Sequence, residues 1–139
     1  MTDTLIDTRT DTLVHRLFAA FGDSPEAVSA LFAPDGEILA VRPDAEPGHP
    51  LYGTHRGPDG IRRVLAAFAA TFEPEHFEID DVVETPDRAW ASGRFGYRVR
   101  ATGHLFASDW ALKLELRDGK IRRYRFFEDS EALALALRP

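Results

Sequence analysis

Apolar residues in the first third of the chain recur at helical spacing. Leu13, Val14, Leu17, Phe18 and Phe21 fall at i, i+1, i+4, i+5 and i+8, one stripe of a helix that Gly22 and Asp23 interrupt. Ser24, Pro25 and Glu26 read as a second start, with Ser24 as N-cap and Pro25 at the first helical position, where its missing N–H costs nothing. Ala27, Val28, Leu31 and Phe32 continue that stripe, so the spacing predicts a short helix hairpin. The turn Pro34-Asp35-Gly36 leads into a short strand, Glu37 to Val41, and the Pro-, Gly- and His-rich stretch from Arg42 to Arg56 predicts an irregular loop. Gly57-Pro58-Asp59 opens a third helix, whose Ile61, Val64, Leu65, Phe68, Ala69 and Phe72 form the clearest amphipathic stripe in the chain.

After Pro74 the period changes from 3.6 to 2, and strands are predicted near 76–85, 88–101, 104–116 and 119–128. Thr85-Pro86-Asp87, Thr102-Gly103 and Arg117-Asp118-Gly119 separate them, the last a hairpin signal because Asp-Gly tolerates positive φ. Phe106, Trp110, Leu112, Leu114 and Leu116 share one face of the third of these strands, and Phe95, Tyr97 and Val99 one face of the second. Those faces should meet the helices. Asp129 or Ser130 caps a last helix over 131–137, and the whole of 1–139 reads as one α+β domain: helices first, then an antiparallel meander.

Composition narrows the function classes. A chain of 139 residues buries roughly two-thirds of its unfolded surface, so a core forms without staples. The absence of cysteine removes disulfides, thiolate metal sites and a cysteine nucleophile. No apolar run reaches the ~20 residues of a bilayer-spanning helix, and the acidic start MTDTLIDTRTDTL is unlike a signal peptide, which predicts a cytoplasmic protein with no membrane partner. A net charge of −6, with the cations scattered, argues against a nucleic-acid partner. His49, His55 and His76 lack metal-ligand spacing, and no Gly-rich phosphate loop follows a strand, so neither a metal nor a nucleotide cofactor is expected.

The segment Tyr52-Gly53-Thr54-His55-Arg56-Gly57-Pro58-Asp59-Gly60-Ile61, with the ending Arg117-Asp118-Gly119-Lys120-Ile121 and Phe127-Glu128-Asp129, resembles the NTF2-like superfamily and within it the SnoaL-like branch. The resemblance implies an α+β cone: helices packed on a strongly curved antiparallel sheet, a pocket inside, and a homodimer formed through the outer sheet face. It implies a pocket for a small, mostly apolar organic molecule, in a cofactor-free acid/base enzyme (isomerase, cyclase, hydratase or dehydratase) or a non-catalytic binding or interaction module. The acid and base positions of the similar ketosteroid isomerases and polyketide cyclases align at or beside Ala40, near Leu17 and at Leu112. All three are apolar and unable to move a proton, so the family chemistry does not carry over at those positions.

Three other side chains are the candidates for acid/base work. Asp109 sits in the most apolar strand, where desolvation would raise its pKa, although strict alternation puts it opposite Trp110, on the outer face, beside Arg98 or Arg100, unless a bulge turns it inward. His104, near the Thr-Gly turn, is a candidate proton shuttle, and Glu37, on the first strand, a substitute for the carboxylate absent at Ala40. Trp110, Tyr97, Phe95, Leu112, Leu17 and Phe68 are expected to line the pocket, with Tyr52 at its mouth. Arg123 or Arg125, if turned inward, would clamp a carboxylate or enolate.

Overall fold

The first helix, α1 (Leu13–Phe21), begins where the Thr12 hydroxyl accepts the His15 N–H at 3.1 Å and ends at Gly22. This computed structural model describes residues 5–6, 11–45 and 51–139; His49 lies outside them. Ser24 caps α2 (Pro25–Ser29) by accepting the Ala27 N–H at 3.1 Å, as its sequence foretells. That helix is shorter than the apolar spacing predicts. The Leu31 carbonyl accepts the Ile121 N–H at 2.9 Å, which draws Phe32 into strand β2 (Phe32–Ala40) instead of a further helical turn.

β2 bends at Pro34-Asp35-Gly36, where its register shifts, and Gly36 is needed there because a Cβ would lie 2.7 Å from the Ile121 carbonyl oxygen. The stretch expected as irregular contains a further strand, β3 (Gly53–Arg56), antiparallel to β2. Gly53 makes the return possible, with φ of 116° and its N–H on the Arg42 carbonyl at 2.9 Å. Helix α3 (Gly57–Thr71) follows and stops one residue before the predicted stripe does, because Phe72 is already extended and begins β4 (Phe72–Thr85).

The meander runs β4, β5 (Arg88–Val99), β6 (Leu105–Arg117) and β7 (Lys120–Glu128), close to the expected spans. Asp118 and Gly119 both have positive φ, 53° and 77°, the geometry an Asp-Gly hairpin requires. The two-residue strand Leu5–Ile6, which no pattern signalled and which we label β1, pairs with the outer edge of β4. The seven-stranded order is β1-β4-β5-β6-β7-β2-β3, mixed rather than purely antiparallel because β2 lies parallel to β7.

Helix α4 (Ser130–Ala136) starts at Asp129, whose carboxylate accepts the Ala132 N–H at 3.0 Å. α1 and α3 cover one face of the curved sheet, and the core lies between, with Leu17, Phe95, Leu112 and Ile121 essentially without exposed surface. Among the described residues no helix is long and apolar enough to cross a membrane.

Candidate functional site

Alternation along β6 carries Phe106, Trp110, Leu112 and Leu114 to the covered face of the sheet. Trp110 stands opposite Gly93 on β5 and opposite Glu128 on β7. Its indole lies over Gly93, where a Cβ would come within 2.7 Å of Trp110 Cζ2 and collide with the Glu78 carbonyl. Phe77 and Phe126 stack beside it at 5.0 and 5.6 Å, and Phe18 of α1 adds a tilted ring at 5.3 Å. Its Nε1–H is buried and has no acceptor among the described residues. A buried donor of this kind usually has a partner, so it marks a place where one is missing from the polypeptide.

Glu128 follows Tyr124 and Phe126 at period 2 and shares their face. Its carboxyl is pushed up to about 7, first by burial and then by the neighbouring Asp129 carboxylate. The phenols of Tyr97 and Tyr124 are raised as well; burial is the main cause for both, and the Glu128 charge contributes to each. Tyr97 stacks on Phe95 at 4.1 Å and receives Phe68 edge-on at 5.0 Å. A carboxyl that titrates near neutrality inside an aromatic wall is able both to accept and to donate a proton, and the Trp110 N–H opposite it is able to hold an oxygen.

The predicted residues divide between the two faces. Trp110 stands across the strand pair from Glu128, the Tyr97 phenol is near enough to feel its charge, and Phe68 packs edge-on against Tyr97. Phe95, Leu112 and Leu17 are sealed in the packed floor, and Tyr52 is 3 % exposed, in the core rather than at a rim. Asp109 is exposed on the outer face, because the β5–β6 register runs without a break from Arg88 to Arg98 and leaves no bulge to turn it. Its cross-strand neighbour is Arg94, which holds Asp80, and not Arg98 or Arg100, which reach Glu75 and Glu73. His104 is exposed in the β5–β6 turn, its carbonyl bound by the Val99 N–H.

Glu37 also turns outward, between Arg56 at 3.1 Å and Arg123 at 3.0 Å. Arg125 donates to the Val41 carbonyl at 3.2 Å and lies 4.9 Å from the Phe127 ring centroid. The inward clamp expected of Arg123 or Arg125 is therefore not formed: with Tyr124 and Phe126 inside, period 2 sends both arginines to the other face. Glu128 is a candidate acid that the sequence pattern did not single out. The signal was present, since counting by two from Tyr124 reaches it, but the adjoining Asp129 explained the polar ending as a helix cap. Among the described residues no group of three His, Asp or Glu is placed to hold a metal.

A search of curated proteins returns no match. Among solved structures the chain is similar to NTF2-like proteins from Burkholderia thailandensis E264 (28% identity, TM-score 0.78, covering 91% of this chain and 95% of that one). It is similar also to one from Burkholderia xenovorans LB400 (28%, TM-score 0.75, 91% and 93%). A protein of ketosteroid isomerase-like fold from Catenulispora acidiphila DSM 44928, solved in complex with trimethylamine, shares 25% identity over 94% of this chain and 96% of its own, with a TM-score of 0.75. The SnoaL-like domain model matches residues 14–124. With the cone of helices and curved sheet and that match over most of its length, the chain belongs to the SnoaL-like family of the NTF2-like superfamily.

Proposed function

We propose that this protein binds a small, mostly apolar organic molecule against the aromatic wall of the cone and exchanges a proton with it through Glu128, without a cofactor. The observation that carries the reading is the pairing of an inward carboxyl at about 7 with the unaccepted Trp110 N–H directly across the strand pair. In an isomerisation, cyclisation, hydration or elimination, Glu128 removes or returns the proton and Trp110 holds the oxygen on which charge develops. The trimethylamine complex of the Catenulispora relative supports a small organic guest in this fold. The reading is of a cytoplasmic homodimer, with exposed Trp90 and Phe127 on the outer sheet face available for the contact.

A non-catalytic binding protein is the second reading. It is favoured by the phenols of Tyr97 and Tyr124 being held protonated, which leaves Glu128 as the acid there that titrates near neutrality. Deuterium uptake from heavy water into a ligand found by thermal stabilisation separates the two. Exchange that is catalysed by the native chain and lost in Glu128→Gln is the expected result; exchange undiminished in that variant overturns the role of Glu128, and binding with no exchange establishes the second reading.

A further inference from the structure

We propose that the guest of this cone is an organic cation, a small protonated or quaternary amine with an apolar body, and that carboxylate ligands are rejected. The inference rests on the reading of the Glu128 pocket and adds the charge of what it takes.

The distribution of charge between the two faces of the sheet carries it. The arginines of the central strands lie on the outer face and are engaged there: Arg94 with Asp80, Arg98 with Glu75, Arg123 with Glu37, Arg125 with the Val41 carbonyl. On the covered face Glu128 has no hydrogen-bond or ion-pair partner among the described residues, and the groups that influence it or are influenced by it are Asp129, Tyr97 and Tyr124, none of them a cation. Among the described residues no guanidinium acts on Glu128, so an anion brought beside it would meet a carboxyl without a counter-charge. A cation would supply the counter-charge missing beside this half-buried carboxyl, and a weakly hydrated alkylammonium gives up less solvation on entry than a compact ammonium does.

The wall suits the same chemistry. Phe18, Phe77, Trp110 and Phe126 pack ring against neighbouring ring at centroid distances of 4.6 to 5.6 Å, a cluster of the side-chain class whose quadrupoles attract alkylammonium groups. The Trp110 N–H then meets a neutral oxygen acceptor on the same molecule, a hydroxyl or carbonyl.

Calorimetric titration of the full chain with benzyltrimethylammonium, benzyl alcohol and benzoate at pH 5.5 and 8.5 tests this. The quaternary probe keeps its charge throughout, so its pH dependence reports the protein. Burial keeps Tyr97 and Tyr124 protonated at the higher pH. The expected result is ammonium affinity at least tenfold greater at pH 8.5 than at 5.5, benzyl alcohol unchanged, and benzoate weakest at pH 8.5. Glu128→Gln removes the ammonium gain and leaves benzyl alcohol binding intact; if that variant does not fold, the pH contrast in the native chain decides alone. Benzyl alcohol or benzoate binding as well as the ammonium at pH 8.5 overturns the cation assignment while the pocket reading stands. No binding by any of the three overturns both.

Discussion

Trp110 and Glu128 face each other across the β6–β7 pair on the covered side of the sheet, the indole N–H without an acceptor among the described residues and the carboxyl raised to about 7 by burial. Each is a polar group that the fold desolvates without pairing. Such groups cost stability, and sites that retain them commonly use them on a ligand.

Glu128 makes stability fall with rising pH. Below its ordinary 4.5 the carboxyl is neutral in both folded and unfolded chains; as pH climbs through about 7 the unfolded chain ionises first, and the native state loses up to about 3 kcal/mol, at about 1.4 kcal/mol per pH unit. Urea unfolding of the native chain and Glu128→Gln should therefore agree near pH 4 and diverge by pH 8, with the variant the more stable. Parallel curves across that range would show that Glu128 is solvated.

Gly93→Ala should destabilise the site from beneath. The added Cβ meets both the Glu78 carbonyl and the Trp110 ring, so the strand and the indole must move. The expected cost is about 2–3 kcal/mol, or roughly 5–10 °C in Tm. A shifted tryptophan emission maximum should accompany it, and unchanged Tm with unchanged emission would contradict the packing described.

Truncating the floor and altering the wall should differ in kind. Leu112 is wholly buried, and Leu112→Ala is expected to cost about 2–5 kcal/mol by leaving a cavity. Trp110→Phe removes a donor that has no acceptor among the described residues, which offsets part of the lost volume, so its cost should stay under about 1.5 kcal/mol while ligand affinity drops. Chemical denaturation of both variants beside ligand titration measures the contrast.

The Glu37 clamp belongs to the scaffold. Glu37 is 15% exposed, but its partners Arg123 and Arg56 are 40% and 78% exposed, so solvent screens the attraction. Glu37→Gln should cost about 1 kcal/mol and leave ligand affinity and its pH dependence unaltered. Asp109→Asn and His104→Ala, on exposed positions of the outer face and the turn, should also leave the pH dependence unchanged.

Periodicity, caps and turn residues located α1, α3, α4 and the four-strand meander, because each of these signals is contained in a few consecutive residues. Ser24, Asp129 and Asp118-Gly119 act locally as their chemistry dictates. β1 and β3 escaped, since strands of two and four residues are held by partners distant in sequence rather than by their own pattern. The end of α2 was misplaced for the same reason: β7 recruits the Leu31 carbonyl.

From its residues alone this protein was bound to be a helix-and-sheet domain with an aromatic inner face, while the outward turn of Arg123 and Arg125 was decided by the fold. Which acid enters the cone was a matter for the tertiary structure. Alternation puts Glu128 on the same side as Tyr124, but its raised carboxyl comes from burial within a fold whose walls are supplied by α1, β4, β5 and β6, and Asp129 beside it adds to the effect. A proton affinity is set by everything within a few ångströms, and chain order does not record those neighbours.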